Sequence, residues 1–250
     1  MILNRSHFLF AIVVVTIAMV SASCVEIPDK APDPPALNAE FRFVSILPSG
    51  SANELQIDIA DGPNFSSYKT FDIPAFGAPS AYLKFLSGSK RIAYGTTDTF
   101  RLTFDTDQRG VVTFYETKNG TFDALKMVNR YTFAANGIID TALVRFTNLV
   151  LKAQDTIDVY RSDSTLASGV VSVNNILFAR TSAVVKIPVG KSYKFFFTDP
   201  SSQNKVYGDS IIISGASRKV YSVYVYDKYD STAVGINRTA AVQVKVLEEL

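Results

Sequence analysis

Short segments of alternating polar and apolar residues constrain the fold of this chain most strongly. From Glu40 onward the sequence breaks into runs rich in Phe, Tyr, Val, Ile and Thr, which Gly, Asn, Asp and Ser separate. A period of two places every second side chain on one face of a strand, and the frequent turn residues separate one short strand from the next. The pattern therefore predicts an all-β fold of antiparallel sheets, as in a sandwich or barrel.

Two stretches of the chain contain strand-like segments in the same order, which indicates a tandem duplication. Phe41-Arg42-Phe43-Val44 recurs as Val144-Arg145-Phe146-Thr147, and Leu83-Lys84-Phe85 before Gly88 recurs as Val185-Lys186-Ile187 before Gly190. Three further segments align: 55–59 with 156–159, 100–104 with 193–197, and 131–133 with 221–223. Five matches in one order predict two domains, at residues 39–137 and 138–250.

The first 23 residues have the composition of a secretory signal peptide. Arg5 lies in a short polar stretch, an almost unbroken apolar run extends from Phe8 to Val20, and small residues lead to Cys24. A charged start, an apolar stretch of about 7–15 residues and small residues at the cleavage point define such a peptide. Residues 1–23 are therefore predicted to be absent from the mature protein.

Cys24 is the only cysteine of the chain, and it follows Ala22 and Ser23 as in the lipobox of bacterial lipoproteins. We predict that Cys24 becomes the lipid-modified first residue, because a thioether removes an unpaired thiol from an oxidising compartment. The alternative is ordinary cleavage, which leaves a soluble protein with a free thiol. Residues 24–38 contain four prolines and are predicted to form an extended tether.

The residues that the chain lacks exclude several classes of function. The only histidine, His7, lies in the predicted signal peptide. Histidine-based catalytic triads, zinc or copper sites with imidazole ligands, and internal disulfides are therefore excluded from the mature chain. A net charge of +2, spread along the sequence, argues against nucleic-acid partners. No cofactor is predicted, and carboxylate chemistry, binding of hard cations and surface recognition remain open.

The second copy resembles a family of secreted bacterial β domains, the domain of unknown function numbered 4397. The resemblance rests on Val144-Arg145-Phe146, on Asp158 in an aliphatic strand, on the turn Ile187-Pro188-Val189-Gly190 and on Tyr221-Ser222-Val223. It covers most of residues 39–230, although the first copy has Leu86 in place of the turn proline. The resemblance implies two tandem Ig-like β-sandwich domains in a lipoprotein of the cell outer membrane, and it implies no particular activity.

One segment has the spacing of a calcium loop. Asp105, Asp107 and Glu116 stand at loop positions 1, 3 and 12, with Gly110 at position 6. However, Arg109 occupies position 5, where a cation would repel calcium, and the flanks have the pattern of strands. The segment is therefore a weak calcium candidate, and a hairpin with a polar turn is the favoured interpretation.

Asp58 and Asp158 occupy equivalent positions in the two copies. A pair of carboxylates could perform glycosidase-like acid/base chemistry if the two groups faced each other across a cleft. Residues that recur in each copy more often serve the fold, so we expect a structural role for both, with Arg42 and Arg145 as neighbours.

Tyr224 and Tyr226 lie on the same face of one predicted strand, because they are two residues apart. Two tyrosine rings side by side could form a platform that binds a sugar or a protein. The absence of tryptophan weakens a glycan-binding interpretation. Tyrosines are also common in sandwich strands, so the alternative is that these two only flank the second domain.

Together these observations predict a lipid-anchored outer-membrane protein, facing the periplasm or the cell surface, that is not an enzyme. Binding, adhesion or assembly support is the predicted function. The predicted partners are the membrane, through the lipid, and an envelope protein or glycan. The alternative is a carboxylate-based hydrolase of glycans, which requires two facing carboxylates about 5–9.5 Å apart. A carrier of a small hydrophobic ligand is a third possibility and requires a sizeable apolar cavity.

Overall fold

The described segments of alternating polarity form eighteen strands in a computed structural model of the chain. The structure describes residues 37–46, 54–58, 68–72, 78–94, 98–129, 141–151, 156–200, 202–228 and 241–249. These residues belong to a compact unit that extends from Leu37 to Leu250. The predicted signal peptide, Cys24 and residues 24–36 of the tether lie outside the described residues.

The first half of this unit contains two four-stranded sheets. Sheet A has the order β4-β1-β7-β8, and sheet B has the order β3-β2-β5-β6. The strands are β1 (Asn38–Ile46), β2 (Glu54–Asp58), β3 (Tyr68–Asp72), β4 (Leu83–Leu86), β5 (Gly88–Tyr94), β6 (Asp98–Phe104), β7 (Arg109–Glu116) and β8 (Phe122–Val128).

The second half contains two five-stranded sheets. In sheet C the order is β12-β9-β17-β18, and β13 also pairs with β9; in sheet D the order is β11-β10-β14-β15, and β16 also pairs with β14. A 3-10 turn, Leu166–Ser168, follows β10. The strands are β9 (Thr141–Leu149), β10 (Thr156–Ser162), β11 (Val170–Leu177), β12 (Arg180–Thr181), β13 (Val185–Pro188), β14 (Ser192–Asp199), β15 (Ser202–Val206), β16 (Ile211–Ser214), β17 (Val220–Lys228) and β18 (Ala241–Glu248).

The two halves repeat one topology, residue by residue in their best-matched strands. Phe41 pairs with Leu83 and with Gly110 across β1, and Val144 pairs with Val185 and with Tyr221 across β9. The alignment of residues 41–44 with residues 144–147, and of β4 with β13, therefore has the same register in both copies.

Two of the aligned segments do not correspond in the structure. The counterpart of β14 is β5 and not β6, because β5 and β14 both pair with the strand that carries Ile57 or Ile157. The counterpart of β17 is β7, whereas residues 131–133 lie outside the described residues. Alternating Phe and Tyr residues recur in many strands of this chain, so the sequence pattern alone aligned the wrong strands.

The sequence pattern predicted antiparallel sheets, but the pairing is not antiparallel throughout. β1 runs parallel to β7, and β9 runs parallel to β17. In each copy, the strands of the other sheet lie between the two parallel strands in the sequence. A short strand, β4 or β13, also lies between them and pairs with the other side of the first strand. A parallel pair needs such a long crossover, and alternation of side chains does not distinguish the two directions.

Each half buries its own apolar core between its two sheets. Phe41, Phe43, Phe85, Phe104 and Phe114 form most of the first core, with close edge-to-face contacts between the rings. In the second core, Phe146 packs against Phe195 and Phe197. Burial of such rings supplies most of the driving force for folding each pair of sheets.

A third apolar cluster joins the two halves, and we call it the central layer. It brings together the faces of sheets A and C that point away from the two cores. Its buried residues are Val44, Ile46, Val111, Tyr115 and Met127 from sheet A, and Leu149, Tyr224, Tyr226 and Leu247 from sheet C.

The contacts across the central layer are reciprocal. Arg42 of β1 donates to the carbonyl of Glu248 at the end of β18, and Arg145 of β9 donates to Asn129 at the end of β8. Thr113 and Tyr224 occupy equivalent positions and contact each other, 3.0 Å apart. In such an isologous arrangement the same patch of each copy binds its counterpart, as in a two-fold symmetric dimer.

Candidate functional site

Tyr224 and Tyr226 do not form an exposed platform. Tyr224 is 0% exposed and Tyr226 is 5% exposed, because sheet A covers both rings in the central layer. The hydroxyl of Tyr224 accepts a hydrogen bond from Thr113 Oγ1, and burial raises the pKa of Tyr224 above its usual value. The interpretation of these tyrosines as a binding platform is therefore wrong, since the face of the strand that they share is used to join the two halves.

A buried ion pair lies beside Tyr224. Arg145 Nη2 is 2.6 and 2.8 Å from the two carboxylate oxygens of Glu249, and Nε donates to Ser222 Oγ at 2.8 Å. The same Nη2 donates to Asn129 Oδ1 of the first half, at 2.7 Å. Removing one partner of such a buried pair typically costs about 3–5 kcal/mol. Through Asn129 this cluster is hydrogen-bonded to the first half, and loss of Glu249 would leave the Arg145 charge buried without its partner.

Arg42, the counterpart of Arg145, has different partners. Its Nη2 donates to the carbonyl oxygen of Glu248, and its guanidinium lies 5.1 Å from the centre of the Tyr82 ring. Arg109 lies over the same ring, at 4.0 Å, and its Nε is 3.6 Å from Glu40. Burial raises the pKa of Tyr82, and the two arginines oppose that shift. These groups form the polar end of the central layer.

The calcium candidate is not assembled. Asp105 and Asp107 lie in the turn between β6 and β7, where Asp107 has a φ of 59° and Gln108 donates a hydrogen bond to Asp105. Glu116 lies at the opposite end of β7, more than about 20 Å away at 3.3 Å per residue. The segment is a polar turn, but it does not close a hairpin: β6 pairs with β5 in sheet B, and β7 pairs with β1 and β8 in sheet A. The expected hairpin was therefore wrong.

Asp158 has a structural role. Its Oδ1 accepts the backbone N–H of Asn175 at 2.7 Å, at a point where the register between β10 and β11 shifts. Its expected neighbour Arg145 belongs to sheet C, where it binds Glu249, so that expectation was wrong. Asp58 lies in β2 of sheet B, and its side chain is outside the described residues; the two aspartates therefore belong to sheets of different halves.

Sheet D presents an apolar face to solvent, which we call the outer face. Val159 and Phe197 point into the core, so their neighbours Tyr160 and Phe196 point outward. Val171 pairs with Tyr160, Val206 with Thr198, and Ile212 with Lys194, which places all three on the same side. Ile212 is 68% exposed, and Val171 and Val206 are 45% and 43% exposed.

The two rings of the outer face are shielded. The Lys194 amine lies 5.3 Å from the centre of the Phe196 ring, and a Cβ at Gly169 would lie 3.4 Å from the Cβ of Tyr160. The exposed apolar area of the outer face therefore belongs to the aliphatic side chains of Ile212, Val171 and Val206, and Lys194 lies on the same face. On sheet B the corresponding face carries Thr99, Arg101 and Thr103, all of which are exposed.

Sequence reasoning missed both the central layer and the outer face. A signal for the central layer was present: Arg42 and Arg145 interrupt otherwise apolar strands, at the same position of each copy. The outer face had a weaker signal, the uninterrupted apolar run Ile211-Ile212-Ile213, which indicates a strand that is apolar on both faces.

Within the described ranges, no three His, Cys, Asp or Glu side chains cluster in a way that could hold a metal ion. The described part of the chain also contains no helix that is long and apolar enough to cross a membrane.

Comparisons with known proteins identify no family. No family model matches the chain. No curated protein matches it either.

Solved structures overlap with the chain only distantly. A family 26 carbohydrate-binding module of Eubacterium rectale Amy13K, in complex with maltoheptaose, is 12% identical and has a TM-score of 0.29, over 85% of this chain and 97% of that one. The TIE protein of Bacillus anthracis is 8% identical at a TM-score of 0.26, over 84% of this chain and 44% of that one. A candidate cell adhesion protein of Parabacteroides distasonis is 8% identical at a TM-score of 0.22, over 84% and 98%. Overlaps at these TM-scores do not bear on the function of this chain.

Proposed function

We propose that this chain is a lipid-anchored protein of the bacterial cell envelope that binds another envelope protein and catalyses no reaction. In this proposal Cys24 carries the lipid, residues 24–38 form the tether, and two Ig-like sandwich domains form the folded body. The resemblance to the domain family numbered 4397 supports the location, and the duplicated sheets A to D support the two domains.

The outer face of sheet D is the observation that supports a binding function. The two copies use equivalent patches to contact each other, and they differ on sheets B and D. Residues that differ between copies are free to serve function. Ile212, Val171 and Val206 expose apolar area around two shielded rings, which is typical of an interaction surface.

The chemistry of the outer face favours a protein partner over a glycan. Sugars stack on exposed aromatic rings, whereas Tyr160 and Phe196 are 7% and 9% exposed. Exposed Val and Ile side chains instead suit an apolar surface patch of another protein. The partner is therefore proposed to be an envelope protein with an exposed apolar patch.

Labelling with palmitate tests the anchor. Cells that express the full chain should incorporate label into the protein and retain it in the membrane fraction, and Cys24→Ser should abolish both. The proposed anchor fails if Cys24→Ser leaves labelling and fractionation unchanged.

Binding of the purified mature protein to cells that lack its gene tests the outer face. Ile212→Asp should weaken saturable binding by at least about tenfold, which corresponds to about 1.4 kcal/mol. Thr103→Asp on sheet B is the matched control and should bind like the unaltered protein. Protease treatment of the cells should remove the binding. Equal binding by both variants would contradict the proposal. A dimeric molecular mass in solution that only Ile212→Asp abolishes would also contradict it, because the outer face would then join two copies of this chain.

A further inference from the structure

Among the residues that the structure describes, three buried N–H donors at the polar end of the central layer have no acceptor. They are Nε of Arg42, Nε of Arg109 and Nδ2 of Asn129. A buried donor without a partner costs about 1–3 kcal/mol, and more when it carries charge. Three such donors in one place therefore require an explanation.

The sheet register brings the three residues together. Across β1 and β7, Arg42 pairs with Val111 and Glu40 pairs with Arg109, so both arginines lie on the same face, one diagonal step apart. Both guanidinium groups lie over the ring of Tyr82, at 5.1 and 4.0 Å. The backbone N–H of Asn129 donates to the carbonyl of Arg109 at 2.7 Å, which fixes Asn129 beside it.

Within the described part of the chain, the charges of this cluster are not balanced. Arg145 has the carboxylate of Glu249 as its partner, but the first copy has Asn129 at the position that corresponds to Glu249. Arg42 is 8% exposed, and among the described residues it contacts a carbonyl oxygen and an aromatic ring but no carboxylate. Arg109 approaches Glu40 only at 3.6 Å, which is longer than a hydrogen bond.

The cluster is open to solvent on one side. The side chains of Arg109 and Glu40 are 41% and 43% exposed, whereas Arg42 and Arg145 lie deeper. Displacement of the exposed Glu40 side chain would therefore open a path to the buried donors from the side of Arg109, without separation of the two halves.

We propose that the polar end of the central layer binds a small oxyanion. Its oxygens accept hydrogen bonds from Arg42 Nε, Arg109 Nε and Asn129 Nδ2. Planar guanidinium groups suit both carboxylates and phosphates, so these two groups share the required chemistry. The oxyanion displaces Glu40 from Arg109 and supplies the negative charge that Asn129, in place of a glutamate, does not. This site is independent of the lipid anchor and of the outer face.

Calorimetric titration of the mature protein with sodium phosphate and, separately, with sodium acetate tests the site at constant ionic strength. One of the two anions should bind with a stoichiometry of one, and the anion that binds identifies the ligand as a phosphate or a carboxylate. Arg109→Gln should weaken this binding by at least about tenfold, equivalent to about 1.4 kcal/mol. Asn129→Leu, which removes a donor without changing charge, should also weaken it.

Arg101→Gln is the matched control, because it removes an exposed arginine of sheet B and should leave the affinity unchanged. Arg109 is partly exposed, so its variant should fold, and circular dichroism verifies this. The proposal is overturned if neither anion binds, or if Arg101→Gln weakens binding as much as Arg109→Gln does, since the effect would then reflect net charge alone.

Discussion

The hydroxyl of Tyr224 lies at the middle of the central layer, 3.0 Å from its counterpart Thr113. Burial raises the pKa of Tyr224, and burial also raises the pKa of Tyr115 and Tyr226 in the same layer. An ionised phenolate cannot be solvated there. The contact between the halves therefore depends on neutral tyrosines.

This burial predicts a loss of stability at alkaline pH. Below the usual tyrosine pKa of about 10, the phenol is neutral in both folded and unfolded chains, and its contribution is fully present. Above that pH only the unfolded chain ionises, so the free energy of unfolding falls by about 1.4 kcal/mol per pH unit for each such tyrosine. Urea unfolding from neutral pH to pH 11 should show a shallower decline for Tyr224→Phe than for the unaltered chain. Parallel declines would show that Tyr224 ionises freely in the fold.

At the scale of elements, a Ser-Ala pair interrupts the edge strand of both inner sheets. Ser80 Oγ accepts the N–H of Phe43 at 2.9 Å and donates to the carbonyl of Ala81, and Ser182 makes the same bonds with Phe146 and Ala183. The serine hydroxyl takes the place of a backbone acceptor where the strand bulges. The edge of each sheet thus stays hydrogen-bonded although its strand is broken.

We expect Ser182→Ala and Ser80→Ala to destabilise the protein by similar amounts. Each leaves a backbone N–H of a central strand without an acceptor, at a cost of about 1–3 kcal/mol in the free energy of unfolding. Ser214→Ala, which removes an exposed hydroxyl of β16, should cost less than about 0.5 kcal/mol. Denaturant unfolding measures all three variants. If Ser182→Ala lowers the free energy of unfolding no more than Ser214→Ala does, the serine hydroxyl does not stabilise the bulge.

Strand content and the repeat were predictable from the sequence, but strand identity was not. Residues 41–44 and 144–147 align because a buried arginine breaks their apolar pattern in a distinctive place. Residues 100–104 of β6 were aligned with the wrong strand, β14, because both strands carry alternating aromatic residues that face a core. Likewise, the period of two placed Tyr224 and Tyr226 on one face, but no local pattern shows that another sheet covers that face. Local sequence encodes the strand, whereas long-range packing decides what its two faces contact.

At the scale of the whole molecule, the central layer should make the two halves unfold together. Its apolar residues and the hydrogen bond from Arg145 to Asn129 connect sheets A and C. Scanning calorimetry of the mature protein should therefore show one transition, with equal calorimetric and van't Hoff enthalpies. Tyr224→Ala opens a cavity in this layer, at a cost of about 3–5 kcal/mol, and should split the trace into two transitions.

Thr103→Asp, on the exposed side of sheet B, serves as the calorimetric control and should retain the single transition. Two transitions in the unaltered protein would mean that the central layer contributes little to stability, and that each pair of sheets folds independently.

The reciprocal contact between the copies also changes how the molecule responds to dilution. A dimer of separate subunits dissociates when it is scarce, but two subunits on one backbone keep each other at a high effective concentration whatever their abundance. Neither copy is released to exchange with neighbouring molecules, and one point of attachment is enough to hold both. The outer sheets B and D can consequently diverge in sequence, because each copy stays covalently linked to the copy that it packs against.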